Sequence, residues 1–276
     1  MTPVSGRIAA AVGLALAAGL LGACASGQLT AAGGMTGDGV QAPAASGSAF
    51  PAAPGGAGAN AEEPFNPFKP PGEGAAGQRQ VILQPSLEEV LQTGSLPEMS
   101  LGRADAPVVV VKYASLTCPY CRKFQAEVFP KLKRAYIDTG KVRFILREFP
   151  IGRASGNATI ALRCASPDKY FTLYGKFLEQ QARWVSQEVR LDAIHSVARE
   201  VGLSRNDFDR CLENRSMIGG LEWVKDRGRT LGIIGTPNFF IDQTLIKKVL
   251  TYEELATLID ERLAARRGVA EAQRKS

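Results

Sequence analysis

The chain has a single histidine, His195, among its 276 residues. A Cys–His hydrolase would need that histidine beside a cysteine nucleophile, and it falls instead in a stretch that reads as helical, well apart from Cys118. It is read as a structural or surface residue. Nor is there any run of five or more basic residues, although the formal charge is +6. Lys and Arg alternate with Asp and Glu as they do on solvated helix faces, so the clustered basic footprint of a nucleic-acid binder is missing. No apolar run reaches the length of a membrane span. The longest, residues 8–23, falls short of the roughly 20 residues a bilayer requires. What remains is ordinary globular material, with 45% hydrophobic residues and room for one large domain or two smaller ones.

The short apolar run has a meaning of its own. Arg7 precedes it, and its Ala and Leu content suits the apolar region of a secretory signal. It ends in Leu21-Gly22-Ala23-Cys24, which resembles the lipobox of bacterial lipoproteins, where the Cys becomes the lipidated first residue. Ala23-Cys24-Ala25 also has the A-x-A form of an ordinary cleavage site. Either reading exports the chain. Residues 25–80 are dominated by Gly, Ala, Pro and Ser. They cannot bury enough apolar surface to offset ordering entropy, so a disordered tether with a reach of roughly 40 Å is expected.

Five cysteines are present: Cys24, Cys118, Cys121, Cys164 and Cys211. Export permits disulfides. With Cys24 set aside for lipid, the other four make two pairs. Cys118-Pro119-Tyr120-Cys121 follows the apolar run at residues 107–111, at an expected strand-to-helix junction. There the helix N-terminus favours a thiolate at Cys118, the nucleophile of thiol–disulfide exchange, and Cys121 one turn on can resolve a mixed disulfide. Half a zinc site has the same spacing. A four-thiolate site using Cys164 and Cys211 stays open, although those two lack the C-x-x-C spacing common in such sites.

The elements expected are a short helix from the capping box Ser86-Leu87-Glu88-Glu89, a strand within residues 96–101, a buried strand at residues 108–111 and a helix over residues 118–139 kinked at Pro130. A strand at residues 142–149 and a helical region over residues 155–231 follow. Strands at residues 239–241 and 245–250 then form a hairpin, and a last helix runs from the capping box Thr251-Tyr252-Glu253-Glu254 to about residue 267. The organisation expected is a signal segment at 1–24, the tether at 25–80, an α/β unit made of 85–152 and 232–267, and a helical insertion at 153–231.

Cys118-Pro119-Tyr120-Cys121 after a β-branched strand, followed far downstream by Gly235-Thr236-Pro237-Asn238-Phe239-Phe240-Ile241, resembles the DsbA-like branch of the thioredoxin superfamily. The resemblance covers about residues 85–265. It implies a thioredoxin fold with a helical insertion. It also implies a redox pair at Cys118 and Cys121 tuned by Pro119 and Tyr120, and a cis-Pro237 facing them. Thr236 and Pro237 would then offer backbone to an extended substrate. Cys164 and Cys211 would form a structural disulfide, and no cofactor is implied.

The chain departs from the family at two places. Tyr120 stands where the best-known oxidase has His. Lys112 stands six positions before Cys118, where family members usually carry an acid. Three roles are open for Lys112: a cation that favours thiolate, a buried neutral base, or a side chain that reaches the surface and does nothing. The activity implied is oxidation of exported proteins with reduced cysteines by a monomer held to the membrane through Cys24. It would be re-oxidised by a membrane redox partner. Reductase or isomerase direction, and a non-redox peptide holdase, are the alternatives.

Overall fold

The computed structural model describes residues 80–275. The expectations for the signal segment, for Cys24 and for nearly all of the tether lie outside the described residues.

Ser86 caps α1 (Leu87–Leu91): its hydroxyl accepts from the Glu89 N–H while the Glu89 side chain accepts from the Ser86 N–H. A short strand, β1 (Met99–Leu101), leads to β2 (Val108–Ala114), every residue of which is buried. β-Branched residues on both faces suit a central strand covered on each side. Alternation then divides it. Val108, Val110 and Ala114 enter one core, whereas Val109, Val111 and Tyr113 enter the other. Lys112 is in phase with the first set.

The helix after β2 is not the single kinked rod expected. It runs as α2 (Pro119–Lys123), a π turn at Phe124–Val128, α3 (Phe129–Leu132) and a second π turn at Lys133–Ile137. Pro130 cannot donate a backbone hydrogen bond, and the turn before it widens so that the Phe129 N–H donates to the Phe124 carbonyl.

β3 (Val142–Glu148) pairs with β2 in parallel, and β1 pairs with β3 antiparallel. A helical block follows: α4 (Gly152–Cys164), α5 (Tyr170–Glu179), α6 (Gln181–Trp184), α7 (Leu191–Ala198), α8 (Arg205–Leu212) and α9 (Arg215–Thr230). The chain then returns to the sheet as β4 (Asn238–Ile241) beside β2, and as β5 (Thr244–Ile246) at the edge, both antiparallel. The sheet order is β1-β3-β2-β4-β5.

Three boundaries differ from expectation. The helical block starts at Gly152, ahead of Ser155. β5 stops at Ile246 and does not continue to Leu250. Phe239 pairs with Ile246, so continuing the register would set the strand against Pro237, which has no N–H to donate. The last helix, α10 (Tyr252–Lys275), runs past Arg267. The Ala, Glu and Gln residues beyond Gly268 are good helix formers and carry it on. Among the described residues, no helix is long and apolar enough to cross a membrane.

Candidate active site

Cys118 caps α2, with the extended backbone of an N-cap (φ −76°, ψ 120°). Pro119 follows at the first helical position, where its missing N–H costs nothing. The Cys118 Sγ accepts from the Cys121 N–H at 3.3 Å. Its other face meets the loop before β4: the thiol donates to the Thr236 carbonyl oxygen at 3.1 Å. The Thr236–Pro237 peptide bond is cis. The Thr236 hydroxyl is buried and makes no hydrogen bond among the described residues.

The two thiols differ sharply in acidity. Cys118 falls from 9.0 to about 5. The largest cause is the hydrogen bond from the Cys121 thiol. Burial opposes the fall, and the Thr236 hydroxyl and the N–H groups of Cys121 and Tyr120 add to it. Cys121 is fully buried and held well above its ordinary value, chiefly by that burial and then by donation to Cys118. The pair therefore presents one stabilised thiolate and one retained thiol, the asymmetry that thiol–disulfide exchange uses.

Lys112 has no exposed surface. Of its three readings, the side chain reaching solvent is overturned: strand alternation turns it into the core that holds Cys121 and Phe124. Its Nζ donates to the Tyr174 hydroxyl at 3.1 Å and lies 4.2 Å from the centre of the Phe124 ring. Burial lowers Lys112 to about 8, against the raising influence of Cys121 and Cys118.

Two positions had no signal in the sequence. Gln181 is buried, and its side-chain amide donates to the carbonyl oxygens of Leu116 and Cys118 at 2.7 and 3.1 Å. It ties the helical block to the loop that carries Cys118. Tyr174 is the partner of Lys112. Both lie in stretches with ordinary helical patterning, and only tertiary packing brings them to the cysteines.

Tyr120 is 58% exposed. With Pro119 it borders a groove of about 990 Å³ that Lys123, Ala126, Gly175 and Leu178 also line. His195 is not brought to Cys118: its Nε2 lies 3.2 Å from the Leu203 carbonyl oxygen and its ring packs on Phe208. Cys164 and Cys211 are bonded to each other, with Cα atoms 6.2 Å apart, joining the end of α4 to α8. With both sulfurs in that bond, a zinc site shared with Cys118 and Cys121 lacks two of its ligands.

Comparison with known proteins gives a consistent picture. The thioredoxin family model matches residues 95–261. A putative protein-disulfide oxidoreductase of Rickettsia bellii is 29% identical over 174 residues, covering 60% of this chain and 66% of that one. A probable disulfide bond formation protein D of Bacillus anthracis is 27% identical over 177 residues, covering 60% of this chain and 78% of that one. The crystal structure of Wolbachia pipientis alpha-DsbA1 superposes with a TM-score of 0.59 at 26% identity, over 64% of this chain and 96% of that one. This chain spans less than two thirds of the length of the rickettsial relatives it matches. The family match, the sheet with its helical insertion and the alpha-DsbA1 likeness agree: the chain belongs to the thioredoxin family, in its DsbA-like branch.

Proposed function

We propose that this protein is a thiol–disulfide oxidoreductase that introduces disulfides into exported proteins, working in the periplasm as a monomer held to the membrane through lipid on Cys24. The observation that carries the reading is the placement of Cys118 at the N-cap of α2, its sulfur accepting from the Cys121 N–H at 3.3 Å beside the cis Thr236–Pro237 bond, with Cys121 buried behind it. That setting lowers Cys118 to about 5 and raises Cys121. Stabilising the thiolate stabilises the reduced form, which makes the oxidised pair a stronger oxidant.

A substrate thiolate attacks the Cys118 sulfur of the Cys118–Cys121 disulfide, and Cys121 leaves. The mixed disulfide at Cys118 lies against the cis Thr236–Pro237 bond, where the substrate backbone aligns along Thr236. A second substrate thiol then attacks its partner sulfur, and Cys118 departs as a thiolate. Pro119 and Tyr120 shape the helix start and the exposed rim. A membrane redox partner restores the disulfide. The disulfide between Cys164 and Cys211 is structural in this reading, and the chemistry uses no cofactor.

The test is the equilibrium reduction potential of Cys118–Cys121 against glutathione. A strongly oxidising value supports the oxidase direction. A value near that of cytosolic dithiol reductants overturns it in favour of a reductase, or of an isomerase kept reduced by one.

A further inference from the structure

We propose that Lys112 is a redox-linked proton carrier: its amine takes up one proton when the Cys118–Cys121 disulfide is reduced and gives it up when the disulfide re-forms, with the Tyr174 hydroxyl positioning the nitrogen in both states. The inference rests on the redox-pair reading above.

The geometry supplies the reason. Lys112 stands in the middle of the central strand, with Leu146 of β3 and Phe239 of β4 as its cross-strand neighbours. Both are apolar. Phe124, which follows Cys121 by three positions, covers the amine from the active-site helix, and its ring packs on Phe239. The titratable groups that act on the amine are Cys121 and Cys118, from α2 and its cap, and Tyr174 from α5 is its hydrogen-bond partner. Glu148 of β3 reaches Tyr174 only through its field. It is engaged by Arg163, and it accepts from the Tyr170 hydroxyl at 2.6 Å. Among the described residues no carboxylate forms an ion pair with Lys112.

A buried ammonium without a counter-charge is strongly disfavoured. In the dithiol state the Cys118 thiolate supplies that counter-charge. Disulfide formation removes it, since both sulfurs become neutral. The amine then has no anion facing it, and neutral is the form that burial favours. Tyr174 suits such a change because a phenol can accept from an ammonium and donate to an amine. A carboxylate at the same place would hold the lysine charged in both states.

The proton count balances. When a substrate dithiol reduces the pair, two electrons break the Cys118–Cys121 bond and a substrate disulfide forms. One substrate proton ends on Cys121 and the other on Lys112, while Cys118 remains a thiolate. The charge inside the site is zero before and after. Re-formation of the pair by exchange with an oxidised disulfide runs the same step backwards.

The experiment is the glutathione equilibrium of the full chain as a function of pH around neutrality. Glutathione thiols carry two protons into the reaction. With Lys112 accepting one, none reaches solvent, and the wild-type equilibrium constant should change less than about threefold per pH unit. In Lys112→Met one proton is released, and the constant should change close to tenfold per pH unit. In Tyr174→Phe the ammonium loses its acceptor, so the break from the shallow to the steep regime should move to lower pH. Reduction of the wild-type chain by a small neutral dithiol in weak buffer near neutral pH should release almost no proton, so a Lys112→Met chain that does not fold leaves the test intact. A tenfold wild-type slope, or one proton released per disulfide reduced, overturns the proposal. An oxidising constant with a steep slope overturns only the proton carrier, whereas a weakly oxidising constant with a shallow slope overturns only the oxidase direction. A pair that does not exchange with glutathione overturns both.

Discussion

The Cys118 Sγ lies 3.1 Å from the carbonyl oxygen of Thr236, across 118 residues of chain. β3 and the helical block separate the two in sequence, yet the fold brings them within hydrogen-bond distance. The nucleophile and the backbone that would align its substrate are thus held by adjacent strands, β2 and β4. Motion of one against the other is limited by the sheet itself.

Cys118→Ser should abolish exchange with a reduced unfolded protein, because Cys121, the other sulfur of the C-x-x-C site, has no exposed surface. Cys121→Ser should keep the nucleophile and accumulate mixed disulfides, visible as adducts that disappear on reduction. Substantial activity in Cys118→Ser would show that the wrong thiol has been assigned.

Alkylation of the Cys118–Cys121 dithiol should report a single reactive thiol, Cys118, with a midpoint near 5. The sign follows from the depressed value: the thiolate is present above that pH and is lost as pH falls through it. Cys121, raised by burial, should stay unreactive at neutral pH. A midpoint in the ordinary thiol range would remove the basis for an oxidising pair.

Thr236→Val removes the buried hydroxyl that, if it turns to the Cys118 thiolate, would help to hold it low, and keeps the side-chain shape. A hydrogen bond to a charged group is worth about 1.5 kcal/mol, so the alkylation midpoint should rise by about one pKa unit. An unchanged midpoint would mean that the N–H groups of α2 and the Cys121 thiol stabilise the thiolate without the hydroxyl.

Gln181→Ala leaves the carbonyl oxygens of Leu116 and Cys118 without their buried donor. The cost should be on the order of 1–3 kcal/mol in chemical denaturation, with slower exchange as the loop before α2 loosens. A stability change with no change in rate would confine Gln181 to holding the fold.

Replacing both Cys164 and Cys211 with Ala opens a loop spanning a sequence separation of 47. Unfolding should become easier by on the order of 2–4 kcal/mol, read from the denaturant midpoint. The midpoint for alkylation of Cys118 tests whether this bond reaches the redox pair at all.

Much of this was legible before folding. Capping boxes at Ser86 and Thr251, the valine run at residues 108–111 and the C-P-Y-C turn each depend on neighbours a few residues away, and local chemistry is what a linear string records. The family followed from the joint occurrence of Cys118-Pro119-Tyr120-Cys121 and Gly235-Thr236-Pro237. The end of β5 and the widened turns around Pro130 were not legible in the same way, because cross-strand register and helix packing set them. Lys112 divides the two kinds of information. Its alternation with Val110 and Ala114 could be read from the string, but nothing local says whether that face is open or covered. The covering is done by Phe124, Tyr174 and the cysteines, which come from α5 and from the active-site helix. Only their packing decides that the lysine is buried beside a thiolate with a phenol for company, since burial and the fields that shift a proton depend on distances in space and not on separation along the chain.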